Sequence, residues 1–224
     1  MTVLAPLHFD DAREAAALAA FLTRLVHYDR AAAVRLQAGG GALAVFGRPP
    51  SFEVLAIRTA RLVDAVDLDV TVSAGELLEG IEESAGKAVV PESVTGPPWA
   101  GVLPPRAGWR PVAGLPGAAE MRGAVAAAVA EFRSRDEELP EELRTRAERD
   151  RIGRDIWSRT LGATGLPLRA VHAALSLGFL PPADTEAPVA LFASGPWLRL
   201  RTPYGSIALR TAPMSLTVTP GGPA

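Results

Sequence analysis

The 224-residue chain contains no cysteine. That absence removes disulfides, thiol nucleophiles, iron–sulfur clusters and cysteine-ligated zinc together. It fits a reducing compartment, and the expectation is a cytoplasmic protein. Lysine is nearly missing as well: Lys87 stands alone against 22 arginines. Alanine, glycine and proline rise with arginine, which is the mark of GC-rich coding, as in a high-GC bacterium. The other reading of the arginine excess is chemical, since a guanidinium offers a planar fork to carboxylate or phosphate and an ammonium does not. Net charge is almost absent too, at −2. A chain so balanced has no global attraction to nucleic acid or to an anionic membrane.

Long apolar runs are also lacking. A membrane span needs about 18 uncharged apolar residues. The best stretch, 170–183, is interrupted by His172, Gly178, Pro181 and Pro182. The first sixteen residues carry no basic segment and reach Asp10 and Asp11 early, so they do not read as a signal peptide. No phosphate-binding loop is present, because Gly39-Gly40-Gly41 is not followed by Gly-Lys-Ser/Thr. No G-x-G-x-x-G follows a strand. Ser194-Gly195-Pro196 is a turn and not a nucleophile elbow. No H-E-x-x-H or calcium-loop pattern occurs. The sequence therefore assigns no catalytic residue, no metal ligand set and no cofactor.

What is present is the composition of a folded protein, 48% apolar and 21% charged. Asp10 is placed to cap a helix whose stripe is Leu18, Phe21, Leu22 and Leu25. Four strand-like runs follow at 33–37, 42–46, 53–59 and 66–72, the first two joined by the three glycines. Ser73 and Glu76 then form a capping-box pattern. Residues 88–117 are rich in proline and glycine and hold Trp99 and Trp109. Two indoles in such a stretch predict that it packs on something, with each ring at least half buried. Helices are expected at 120–133, 141–160 and 168–177. Strands are expected again at 189–193, 197–202, 206–211 and 214–219. Strands in runs and helices in runs make the fold class α+β, with antiparallel β-meanders at both ends of the chain and a helical segment between them. The corresponding division is an N-terminal α+β region (1–90), a Pro/Gly-rich connection (91–117), a helical region (118–182) and a C-terminal β region (183–224), or one domain overall. Periodicity does not say whether the two β regions share a sheet.

The candidate residues are few. The histidines are His8, His27 and His172, and His172 on an apolar helix reads as a hydrogen-bonded structural residue. Asp67 and Asp69, two apart on a strand, share a face and form the only plausible acid/base pair; the alternative is a solvated strand face paired with arginine. Strand alternation sets Arg35, Arg58, Arg199, Arg201 and Arg210 opposite apolar neighbours, and predicts that the last four of these project from one side. Residues 187–224 carry three arginines and no acid, whereas 62–105 carry eight acids and one base. These arginines are the candidate anion- or partner-binding set. Three functions are open: a non-enzymatic cytoplasmic interaction or regulatory module, joining another protein or a second copy; a binder of small anionic ligands or nucleotides; and an unfamiliar enzyme using Asp67 and Asp69. A pocket where arginines converge favours the second, an Asp–His cluster in a cleft the third, and a flat apolar patch the first.

Overall fold

The computed structural model describes residues 6–182, 184–185 and 187–211. Strand β1 (Leu7–His8) leads into helix α1 (Ala12–Tyr28), whose cap is Asp11, not the expected Asp10. The Asp11 carboxylate accepts from the Arg13 N–H at 2.8 Å, while the Asp10 carboxylate lies 3.3 Å from Arg61 Nε. Strands β2 (Ala33–Gly39) and β3 (Ala42–Gly47) form the expected hairpin. Gly40 and Gly41 both have positive φ, 58° and 78°, as the tight two-residue turn requires. Strands β4 (Leu55–Arg61) and β5 (Leu68–Ser73) follow, then α2 (Ala74–Glu79), capped by Ser73. Strands β6 (Ile81–Glu82) and β7 (Lys87–Ala88) join β1 in a small ribbon ordered β1-β7-β6.

After the proline-rich connection come β8 (Arg110–Val112), α3 (Ala118–Glu137), α4 (Arg146–Trp157) and α5 (Leu168–Ser176). The expected helix at 141–160 is divided. One 3-10 turn covers Glu141–Leu143, and Thr145 starts α4 afresh by accepting from the Glu148 N–H at 3.3 Å. Strands β9 (Ala190–Ser194), β10 (Trp197–Thr202) and β11 (Gly205–Arg210) end the described chain. The strand expected at 214–219 lies outside the described residues. Among the described residues no helix is long and apolar enough to cross a membrane.

The fold is α+β, with antiparallel strands from both ends of the chain around a helical middle. Both β regions belong to one eight-stranded sheet, ordered β5-β2-β3-β4-β11-β10-β9-β8. The join is β4 against β11, with Ala56 opposite Ile207 and Ile57 opposite Ser206. Helices α1 and α5 cover one face. Phe21 of α1 meets Phe179, just past α5, with ring centroids 5.4 Å apart. Leu36, Val45, Ala56, Leu200 and Ile207 are buried beneath them. Helices α3 and α4 form an outer layer against α5.

His172 sits in this helical layer, stacked on Trp157 at 4.4 Å and met edge-on by Phe52 at 5.2 Å. It makes no hydrogen bond among the described residues, so ring packing holds it rather than the expected polar partner. Burial keeps its imidazole below the ordinary pKa. The unfolded chain therefore takes up a proton first as the pH falls through about 6.5, and stability present above that value is lost below it. Replacing His172 with Phe keeps a ring in the stack and removes the titration. Melting midpoints measured from about pH 8 to pH 5 are expected to fall less steeply in the variant. Equal slopes would assign the acid loss to other groups.

Candidate functional site

Cross-strand partners share a face, so the register fixes which side chains meet. Phe46 pairs with Ile57, Ile57 with Ser206 and Ser206 with Arg201. One row along, Leu55 pairs with Ala208, and Ala208 with Arg199. All of these point away from α1 and α5. This second face carries its own small apolar cluster of Phe46, Leu55, Ile57, Trp197 and Ala208. The proline-rich connection crosses it and lays Trp99, Leu103 and Trp109 on that cluster. Both indoles are more than half buried, as expected. The Trp109 Nε1–H donates to the Pro105 carbonyl at 2.9 Å, which fixes the ring within its own loop.

The connection does not fill the face. It leaves two clefts that meet at Arg199 and Thr59, of about 450 and 660 Å³. One is walled by Gln37, Phe46, Ile57, Leu103 and Arg106. The other is walled by Trp109, Phe192, Arg201 and Ser206. The Arg199 guanidinium lies 5.9 Å from the Trp109 ring centroid. Its Nε is buried without a hydrogen-bond partner. Burial first, and the charge of Arg201 second, make this guanidinium less basic than a free one. Among the described residues neither Arg199 nor Arg201 has a carboxylate within ion-pair distance. A desolvated cation without a counter-charge is costly, and an incoming anion would relieve the cost.

The remaining sequence candidates fall elsewhere. Arg35 shares the open face, but its Nε donates to Asp69 at 2.7 Å. Four strand spacings separate β2 from β10, about 19 Å, so Arg35 is remote from Arg201. Arg210 lies over Trp197 at 5.9 Å, at the far end of β10 and β11. Arg58 corrects the shared-patch expectation. It pairs with Val45 and projects to the helix-covered face, where it meets Glu14 at 3.1 Å and the Tyr204 carbonyl at 2.8 Å. The expectation failed because β4 is apolar on both sides, so alternation could not say which side carries the helices.

Asp69 is committed to Arg35 and Gln37, and these hydrogen bonds hold its carboxyl below the usual range. Asp67 is exposed, one residue before β5. The histidines do not join them: His8 lies 3.6 Å from Asp64, His27 is in α1, and His172 is in the helical layer. Among the described residues no group of three His, Asp or Glu side chains is placed to hold a metal ion.

Sequence reasoning marked Arg199, Arg201 and the two tryptophans, but missed Thr59, Arg106 and Phe192 as cleft walls. Nothing local distinguishes those three; they are brought in by strand pairing and by the path of the connection. Residues 3–101 match the family model described as "Domain of unknown function (DUF8010)", and residues 104–214 match "Domain of unknown function (DUF8185)". No curated protein matches the chain. The two matched segments meet inside the proline-rich connection, and the β4–β11 pairing joins them in one sheet.

Proposed function

We propose that this is a non-enzymatic, cytoplasmic binding module of the regulatory kind, which takes a small organic anion at Arg199 and Arg201. The observation that carries the reading is the half-buried Arg199 guanidinium, without a counter-charge among the described residues, at the junction of two clefts. Cleft size supports it, since pockets for small ligands run from roughly 300 to 1,000 Å³. So does the lining. Phe46, Ile57, Trp109 and Phe192 offer an apolar bed, and among the described residues the only ionisable groups on the walls are arginines. A carboxylate or phosphate on an apolar body fits that bed. Arginine moves no proton near neutral pH, so the described walls supply no general acid or base, which supports binding over catalysis.

Calorimetric titration with phenyl phosphate, benzoate and inorganic phosphate tests this reading. The two aromatic anions are expected to bind more tightly than inorganic phosphate, and to perturb Trp109 emission. Arg199→Ala with Arg201→Ala is expected to weaken them roughly tenfold to a hundredfold. The melting midpoint should hold or rise, because the substitution removes a buried cation that has no carboxylate within ion-pair distance among the described residues and stands beside a like charge. A clear fall in midpoint with unchanged affinity would make the arginines structural and overturn the proposal.

A further inference from the structure

A larger cleft, about 800 Å³, opens on the other side of the molecule, between α4, α5 and the turn before β4. Its walls include Phe52, Phe132, Gly153, Arg154, Trp157, Arg169 and His172, from four separate stretches of chain. Two features set it apart from an ordinary surface hollow.

The first is a set of open aromatic surfaces. Trp157 has one ring face against His172, and neither ring hydrogen-bonds to any described residue. Gly153 lies between Trp157 and Phe132. A Cβ there would stand 3.6 Å from Trp157 Cδ1, 3.7 Å from Phe132 Cε2 and 4.0 Å from Trp157 Nε1. The glycine thus keeps a slot open between two rings, with an indole N–H donor at its edge. A Cβ would fit at ordinary contact distances, so packing does not demand glycine in this helix. The adjoining turn is strained: Ser51 and Glu53 hold left-handed φ of 69° and 54° and drive Phe52 between Tyr28 and His172.

The second feature is charge: three arginines stand on the walls against two carboxylates, Glu53 and Asp150, and Asp150 lies 3.9 Å from Arg146. Of the three arginines on the walls, Arg149 is answered by Asp136 at 2.7 Å. Arg154 has no carboxylate within ion-pair distance among the described residues. Arg169 reaches Glu53 only at 3.6 Å, its Nε is buried without a hydrogen-bond partner, and the Glu53 side chain is 71% exposed. Burial of His172 favours its neutral form, which leaves a ring nitrogen free to accept.

We infer that this cleft is a second binding site, for a planar aromatic anion of nucleotide size. The ring enters the slot between Trp157 and Phe132 and meets the Trp157 Nε1–H and His172. The acidic group reaches Arg154 and Arg169 and displaces Glu53 from the latter. Arg–phosphate pairing and ring stacking then act on two ends of one molecule.

The test uses adenosine 5′-monophosphate, adenosine and inorganic phosphate, with 1-naphthyl phosphate as an unrelated aromatic anion. Binding is followed by calorimetry and by the Trp157 indole N–H resonance. The nucleotide is expected to shift that resonance and to bind more tightly than either of its halves. Arg154→Ala, at an exposed position, should weaken the nucleotide about tenfold and leave adenosine unchanged. Gly153→Leu replaces a poor helix former with a good one and fills the slot. It should keep the melting midpoint and abolish both nucleotide and adenosine binding. Arg199→Ala with Arg201→Ala should leave the Trp157 shift intact, so failure at the sheet site and failure here are separable. The inference is overturned if neither aromatic anion moves the Trp157 resonance, or if Gly153→Leu folds and binds as the wild type does.

Discussion

Cut between residues 102 and 103, the chain is expected to yield two fragments that do not fold alone. Each carries half of one sheet: β2, β3, β4 and β5 come from the first, and β8, β9, β10 and β11 from the second. Separation strips β4 of β11, leaves it paired with β3 alone and exposes its other edge. That strand is buried on both faces, by Ala56 on one side and by Leu55 and Ile57 on the other. Helix α1 loses the Phe179 ring that meets Phe21, and α5 loses the layer it shares with α1. A large core residue losing its packing costs about 2–5 kcal/mol, against a total stability of about 5–15 kcal/mol. Several such losses at once leave nothing. Circular dichroism of each fragment should show no cooperative melting transition, and mixing or co-expressing the two should restore it. A cooperative transition in either fragment alone would show that the segments matched by the two family models fold independently.

Much of the sheet was readable because a strand's side-chain period is short and local. Leu198 and Leu200 against Arg199 and Arg201 gave the sidedness of β10, and the glycine run gave the β2–β3 hairpin. The stripe of Leu18, Phe21, Leu22 and Leu25 gave α1. The tryptophans of the connection announced that it packs, though not on what. Local signals stopped at pairing, since no feature of β4 names β11 as its neighbour. The same limit explains Arg58. In Leu55-Ala56-Ile57-Arg58 the larger aliphatics suggested the helix-covered side, yet small Ala56 and Arg58 face the helices while Leu55 and Ile57 lie on the open face. The helical cleft was out of reach for another reason. Phe52, Phe132, Gly153, Trp157 and His172 are scattered along the sequence, and each has an ordinary structural reading on its own.

Glu14→Ala is expected to cost about 3–5 kcal/mol, because it leaves the Arg58 guanidinium without its carboxylate. Arg58 and Glu14 side chains are only 11% and 22% exposed, so water cannot replace the lost partner well. The Tyr204 carbonyl still accepts from Arg58 Nη1 at 2.8 Å, but Nε is already without a hydrogen-bond partner. Burial lowers the basicity of this guanidinium and Glu14 restores part of it, which shows which way the balance tips when the acid goes. For a chain of this size the midpoint should fall by roughly 10 °C. Added salt should change the effect little, since a buried pair is poorly screened. The exposed network of Glu131, Arg135, Asp155 and Arg159 between α3 and α4 should behave oppositely and weaken with salt. Pairing Glu14→Leu with Arg58→Met removes both charges and keeps apolar bulk, and should recover most of the midpoint. A neutral Glu14→Ala would mean that the pair is solvated. Because Arg58 lies on the helix-covered face, the double variant should bind phenyl phosphate as the wild type does. Loss of that binding in a variant that melts normally would return Arg58 to the anion site.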